Sequence, residues 1–215
     1  MELKAIDSSR VVFLTSVHRP EGQLFLPFAA GALVSRYQFQ KVPKGDEISS
    51  DILKFEIGVF NGVGINEMSI YPDGVVVASR ADTRLIDEFI DDVMNWSKSE
   101  LGLKETGIPP REKHYESALV IQMNISERWA IPSLDKASAF LTNAQVDYGL
   151  KGFSFGFGGY SLLVDAMAYP GRKPVPFTLS RRINVPFEAD IFYSTAPLKT
   201  EHHLTLLESI EADLH

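Results

Sequence analysis

Cysteine is missing from all 215 residues. Without a thiol there is no disulfide framework, no thiolate nucleophile, no iron–sulfur cluster and no cysteine-based zinc site. The absence suits a reducing compartment, so a cytoplasmic protein is expected. Long apolar runs are missing too: none approaches the roughly 18 residues of a membrane-spanning helix. The first ten residues carry Glu2, Lys4, Asp7 and Arg10 and have no apolar secretory core. No membrane partner is expected. Positive charge is in short supply, with 21 Lys and Arg against 28 Asp and Glu, a net charge of −7. A nucleic-acid binder shows a basic footprint, and its lack argues against nucleic acid as the partner.

Aromatics are plentiful. Fourteen Phe and seven Tyr favour strands and aromatic packing over a helical bundle. Val11 to Val17 reads as a buried strand. The next segment, Leu24 to Val42, reads as a short helix or as a strand continuing through Tyr37 and Phe39, and periodicity does not decide between them. Leu53, Phe55, Ile57 and Val59 alternate along a strand that a turn or bulge at Asn61-Gly62 interrupts. Tyr71-Pro72-Asp73-Gly74 is a turn signal between two strands of a hairpin. From a cap at Asp82 or Thr83, Leu85, Ile86, Phe89, Ile90, Val93 and Met94 repeat at helical spacing, with a stop at Gly102.

Residues 103–117, with Pro109-Pro110, read as a linker between a half at 1–102 and a half at 118–215. Beyond a strand at Ala118–Ile125, Ser133 caps a helix with Leu134, Ala137, Phe140, Leu141 and Ala144 turned inward. Within Gly149 to Val164 a glycine-rich strand follows, with Ser161 to Ala168 as its continuation or hairpin partner. There Phe153, Phe155 and Phe157 share one face, and Gly152, Ser154, Gly156 and Gly158 leave the other nearly bare. A bare face admits a close neighbour. The three Phe are therefore expected in the core of a central strand. Further strands are expected over Pro176–Val185 and Asp190–Thr195, before a last helix capped by Thr200. Gly-rich strand, Tyr-Pro turn, strand, capping Thr and helix recur in both halves. The expected fold is α+β: a mixed, mainly antiparallel sheet with about three helices on one face. Two related β-rich halves are the alternative to a chance recurrence of hairpin and helix, and the inserted Ser133 helix and unequal strand spacings count against them.

Site candidates are sparse. Gly156 and Gly158 would hold a phosphate if they led into a helix N-terminus. They lead into a strand pattern, and close packing is the preferred reading. Asp165, within Leu162-Leu163-Val164-Asp165-Ala166-Met167, is expected in a buried strand. A buried carboxylate must be paired or protonated, and Arg181 or Arg182 is the natural partner. Consecutive strand residues face opposite sides, so only one of these two arginines can enter a shared site. An Arg fork there would suit a carboxylate or phosphate, whereas the simpler role of such charges is to protect a sheet edge. His203-Leu204-Thr205-Leu206 resembles half of the two-histidine phosphoesterase pattern. That family needs two such motifs on strands. Here there is one, on a helix, and a solvated helix start is preferred. No metal site and no cofactor is expected, since neither a His-Glu-x-x-His motif nor a phosphate loop is present.

The functional expectation is a non-enzymatic binding or assembly protein, homo-oligomeric, whose partner is itself or another protein. The alternative is an enzyme or sensor holding a small anionic ligand near the glycine strands through Asp165 and Arg181 or Arg182.

Overall fold

The structure, a computed structural model, describes residues 1–18, 26–44, 52–106, 111–124, 132–149, 155–156, 158–165, 167 and 173–213. It is an α+β fold of four helices and an eight-stranded antiparallel sheet in the hydrogen-bonded order β3-β4-β5-β1-β7-β10-β9-β8. The strands are β1 (Glu2–Leu14), β3 (Leu53–Phe60), β4 (Val63–Tyr71), β5 (Gly74–Ser79), β7 (Glu112–Gln122), β8 (Gly159–Leu162), β9 (Phe177–Arg181) and β10 (Ile191–Ala196). A separate two-stranded pair joins β2 (Val17–His18) to β6 (Lys104–Glu105). The helices are α1 (Leu26–Tyr37), α2 (Thr83–Leu101), α3 (Pro132–Asp147) and α4 (Thr200–Asp213). The chain divides into two compact units, residues 6–118 with 196–203, and residues 1–5 with 119–195 and 204–215.

In the first of these units, local sequence and structure agree closely. Asn61 and Gly62 both take positive φ, at 49° and 78°, so a two-residue turn joins β3 to β4 with the twist a hairpin needs. Pro72-Asp73 then returns the chain into β5, which pairs in register with β1 from Ser9–Ser79 to Leu14–Gly74. The Asp82 side chain caps α2 by accepting the Arg84 N–H at 2.7 Å, and Gly102, at φ 65°, ends it. The expected stripe of Ile86, Phe89, Ile90, Val93 and Met94 is buried against Val11, Phe13, Phe55, Ile65, Met68 and Val77. Leu26–Tyr37 is a helix, so the described helices number four. Leu33 and Tyr37, one turn apart, enter the same core, and Gln38, at φ 55°, breaks the helix before Phe39. Residues 112–117, read from their polarity as the end of a linker, lie in β7.

In the second unit the buried apolar residues, among those described, are Leu119, Val120, Ile121, Met123, Phe177, Leu179, Phe192 and Leu207. The glycine-rich strand is here the main correction to the sequence reading. Its described part, β8, is four residues long and outermost in the sheet. Phe155 precedes it and is 42% exposed, while Phe153 and Phe157 lie outside the described residues. Alternation assigns side chains to faces, but it does not decide how many strands flank the segment. Only the neighbours a strand recruits make it central, and β8 recruits β9 alone among the described strands.

Candidate functional site

The predicted candidates from the glycine strand and β9 converge partly. Gly158 accepts the Arg181 N–H through its carbonyl at 2.8 Å, the ladder bond that leads into β8. A Cβ on Gly156 would lie 2.7 Å from the Phe187 ring, so the missing side chain admits an aromatic neighbour. Gly158 has open space where its Cβ would be. The expectation of a close approach to the bare face thus holds at Gly156 and does not at Gly158.

Phe187 opens a short 3-10 turn that ends at Asp190, itself at φ 51°. That turn carries the partners of Arg181. One guanidinium nitrogen donates to the Phe187 carbonyl at 2.7 Å and stands 3.4 Å from the Asp190 carboxylate. The cation also lies 4.9 Å from the Phe187 ring centroid and 5.1 Å from that of Phe192. Arg182 points to solvent, as a strand neighbour of Arg181 should. Asp165 does not join them. It is exposed, and its carboxylate accepts the Met167 N–H two residues on, at 2.9 Å. This local turn corrects the expectation of a buried strand carboxylate: a short Asp side chain can satisfy itself on its own backbone and need not recruit an arginine. Asp190 escaped the sequence reading, although an Asp just before a strand is a turn signal.

α3 presents the larger surprise. Of its expected inward stripe, Ala137, Phe140 and Leu141 are exposed and Ala144 is half-buried, while the Leu134 side chain lies outside what the structure describes; Val146 is exposed too. The face held against the protein carries Ser138 and Thr142, one turn apart. Ser138 donates to the Phe155 carbonyl, and the Thr142 hydroxyl accepts the Phe155 N–H at 3.2 Å. Among the described residues the helix is held by two hydroxyls on one backbone residue, with Phe140 and Leu141 left uncovered. Phe155, Gly156, Phe187 and Arg181 then connect α3 to β8 in one continuous run of contacts. Elsewhere in this unit Tyr148, Leu162, Leu163, Met167 and Ile183 are also exposed. The candidate site is the run itself with the exposed Phe140 and Leu141 of α3, and not a polar cleft.

The titratable clusters are elsewhere. His203 is fully buried, which corrects the expected solvated helix start; His202 is the neighbour in solvent. Its Nδ1 lies 2.8 Å from Ser117 Oγ, and that hydroxyl donates to the Leu198 carbonyl at 3.0 Å. Burial pushes the imidazole down to about 4, so it is neutral near pH 7. Asp87 gathers Lys113 at 2.7 Å, the Tyr115 hydroxyl at 3.1 Å and Lys199 at 3.6 Å. Burial first, then the Asp87 charge, pushes Tyr115 up to about 12. Asp92 takes a two-pronged Arg36 and the Tyr37 hydroxyl at 2.7 Å, and with burial it holds the Tyr37 proton well above the usual phenol range. Each cluster is paired internally, with Asp91 at 3.6 Å from Lys113 adding a second carboxylate beside Asp87, as in a structural network. Among the described residues no three His, Asp or Glu side chains converge as a metal site, and no helix is long and apolar enough to cross a membrane.

The chain matches no protein-family model, no curated protein and no solved structure.

Proposed function

We propose that the protein is a non-enzymatic binding and assembly protein that works as a homo-oligomer. One observation supports this reading: Phe140, Leu141 and Val146 of α3 are turned to solvent in a unit that also exposes Leu162, Leu163 and Met167. Single exposed apolar residues are ordinary, and a set of this size is what an interaction surface would use. Arg181, the residue best suited to an anionic ligand, is already engaged with the Phe187 carbonyl, Asp190 and two aromatic rings.

A duplicated construction belongs to the same proposal. The order strand, helix, three strands, helix occurs twice, as β1-α1-β3-β4-β5-α2 and as β7-α3-β8-β9-β10-α4. The sheet order matches it from either end, β3-β4-β5-β1 against β8-β9-β10-β7. By that correspondence α3 is the counterpart of α1, whose Ala30, Leu33 and Tyr37 are buried in the core. A helix whose counterpart is covered within its own unit is supplied with its cover by a partner.

Light scattering coupled to gel filtration, over a range of protein concentrations, tests the reading. A discrete oligomer is expected. A monomer at every concentration, stabilised against heat by a member of a nucleotide or carboxylic-acid panel, would overturn it.

A further inference from the structure

We infer that α3 has a second seat within its own unit, on Leu206 and Ile210 of α4, and that filling this seat withdraws the apolar face of α3 from a partner. This rests on the assembly reading above and gives that same surface a regulation.

The two halves match bond by bond. The Thr15 N–H donates to the Asp73 carbonyl at 2.9 Å, and the Met123 N–H donates to the Asp190 carbonyl at 3.1 Å. Each bond runs from the residue just after β1 or β7 to the residue just before β5 or β10. Both closing helices open on a threonine, Thr83 in α2 and Thr200 in α4. Both α1 and α3 run out at a tyrosine followed by a left-handed residue, Tyr37 before Gln38 at φ 55° and Tyr148 before Gly149 at φ 85°. Counted from these marks, Leu206 and Ile210 stand where Phe89 and Val93 stand. Phe140, Leu141, Ala144 and Tyr148 stand where Ala29, Ala30, Leu33 and Tyr37 stand.

In the first half the two sets meet. Leu33 and Tyr37 share one core with Phe89 and Val93, and the Tyr37 ring stands edge-on to that of Phe89 with centroids 4.9 Å apart. In the second half both sets are open: Phe140 is 73% exposed, Tyr148 74%, and Leu206 and Ile210 are only half-buried. Phe140 and Leu141 are larger than Ala29 and Ala30, while Leu206 is smaller than Phe89, so the helix returns volume that the seat has lost. Two bonds hold α3 in its described position, those from Ser138 and Thr142 to Phe155. Their counterparts on α1 are Pro27 and Gly31, which have no hydroxyl to give. At about 100° per residue, the Ser138–Thr142 face and the Phe140–Tyr148 face lie about 110° apart around the helix, so α3 rolls by that much on closing. Two neutral hydrogen bonds set against the burial of Phe140, Leu141 and Tyr148 are comparable terms, as a two-position element requires. Seat and partner take the same face, so each excludes the other.

The chain has no cysteine, so two thiols can be placed in the full protein without interference. In Tyr148→Cys with Leu206→Cys, a short bismaleimide applied at high dilution is expected to join the two within one chain. Tyr148→Cys with Glu208→Cys, whose second thiol lies on the exposed side of α4, is expected to stay unjoined. Adding Ser138→Ala and Thr142→Val to the first pair releases α3 and should raise the yield several-fold, with circular dichroism confirming that the variants stay folded. The joined protein should be monomeric in light scattering at concentrations where the untreated variant assembles. Equal joining of the Glu208 pair, crosslinks only between chains, or none, overturns the seat while an oligomeric wild type keeps the assembly reading. An unchanged yield on releasing α3 overturns the two positions, and a joined protein that still assembles overturns the regulation. A wild type monomeric at every concentration overturns the assembly reading and the regulation with it, and the seat is then decided by the crosslink alone.

Discussion

Thr83 and Thr200 exchange hydrogen bonds. The Thr83 N–H donates to Thr200 Oγ1 at 3.1 Å, and the Thr200 N–H donates to Thr83 Oγ1 at 3.0 Å. They open α2 and α4, where backbone N–H groups have no partner within their own helix, and both are buried. The capping that Ser or Thr supplies to its own helix is here reciprocal between two helices. Thr83→Val keeps the shape but removes the acceptor, leaving the Thr200 N–H buried and unpaired. Each single valine variant should lose about 1–3 kcal/mol in urea unfolding. The double variant should lose clearly less than the sum, since one change has already broken the exchange. Strict additivity would show that the two bonds are independent caps.

His203 makes stability fall in acid. Burial lowers its folded pKa to about 4 from an ordinary 6.5. Between those values the unfolded chain binds the proton and the folded chain does not, so protonation favours unfolding. The contribution is fully present above about pH 6.5, declines as pH falls, and is lost by about pH 4. A shift of this size corresponds to roughly 3 kcal/mol as an upper figure. His203→Gln keeps a polar group beside Ser117 and removes the titration. The difference in unfolding free energy between wild type and variant should therefore change across pH 6.5–4 and be flat above it. A difference that stays constant with pH would contradict a neutral buried imidazole.

The sequence made the first unit legible because its signals are local. Asn61-Gly62 dictates a turn by backbone chemistry, and Asp82 with Gly102 bounds a helix whose stripe has a single way to be buried. The second unit was harder for a physical reason. Spacing shows which residues share a face of α3 or β8, but only the neighbours decide whether that face is covered. Phe140 and Leu141 look like core residues in sequence because exposure is not a property of spacing. Arg181 could be singled out, since it sits on a strand beside a second arginine. Its partner could not, because Asp190 reaches it through a turn whose shape is a tertiary matter. His203 was recognised and misplaced: a helix start is usually wet, and this one faces Thr83 and Ser117.

The two adjacent glycines at the entry to β8 should respond oppositely to alanine. Gly158 has empty space at its Cβ position, and Gly158→Ala should change stability by no more than about 0.5 kcal/mol. Gly159 has φ at +140°, and its Cβ would stand 2.2 Å from the Leu179 carbonyl oxygen on β9. Neither a rotamer nor a small shift relieves a clash with paired backbone, so Gly159→Ala should detach β8 from β9. Hydrogen exchange would show this as lost protection over residues 159–162, with the β1–β5 pair unaffected. Retained protection would mean that β8 tolerates a side chain there.

Arg181 has two polar partners at unequal distances, which ranks the substitutions around it. The Phe187 carbonyl, at 2.7 Å, takes a well-formed charge-assisted bond, whereas Asp190 Oδ1, at 3.4 Å, lies near the limit of hydrogen bonding. The cation is also sandwiched by the Phe187 and Phe192 rings, which an amide or carboxylate change leaves in place. Asp190→Asn should therefore cost less than about 1 kcal/mol. Arg181→Met removes the bond to the turn carbonyl and the cation–π contacts together, and should cost about 1–3 kcal/mol. Arg181→Lys should fall between them, because an ammonium restores the charge without the planar stacking. The reverse ranking in thermal or urea unfolding, with Asp190→Asn the worst, would show that the ion pair and not the carbonyl bond fixes the turn.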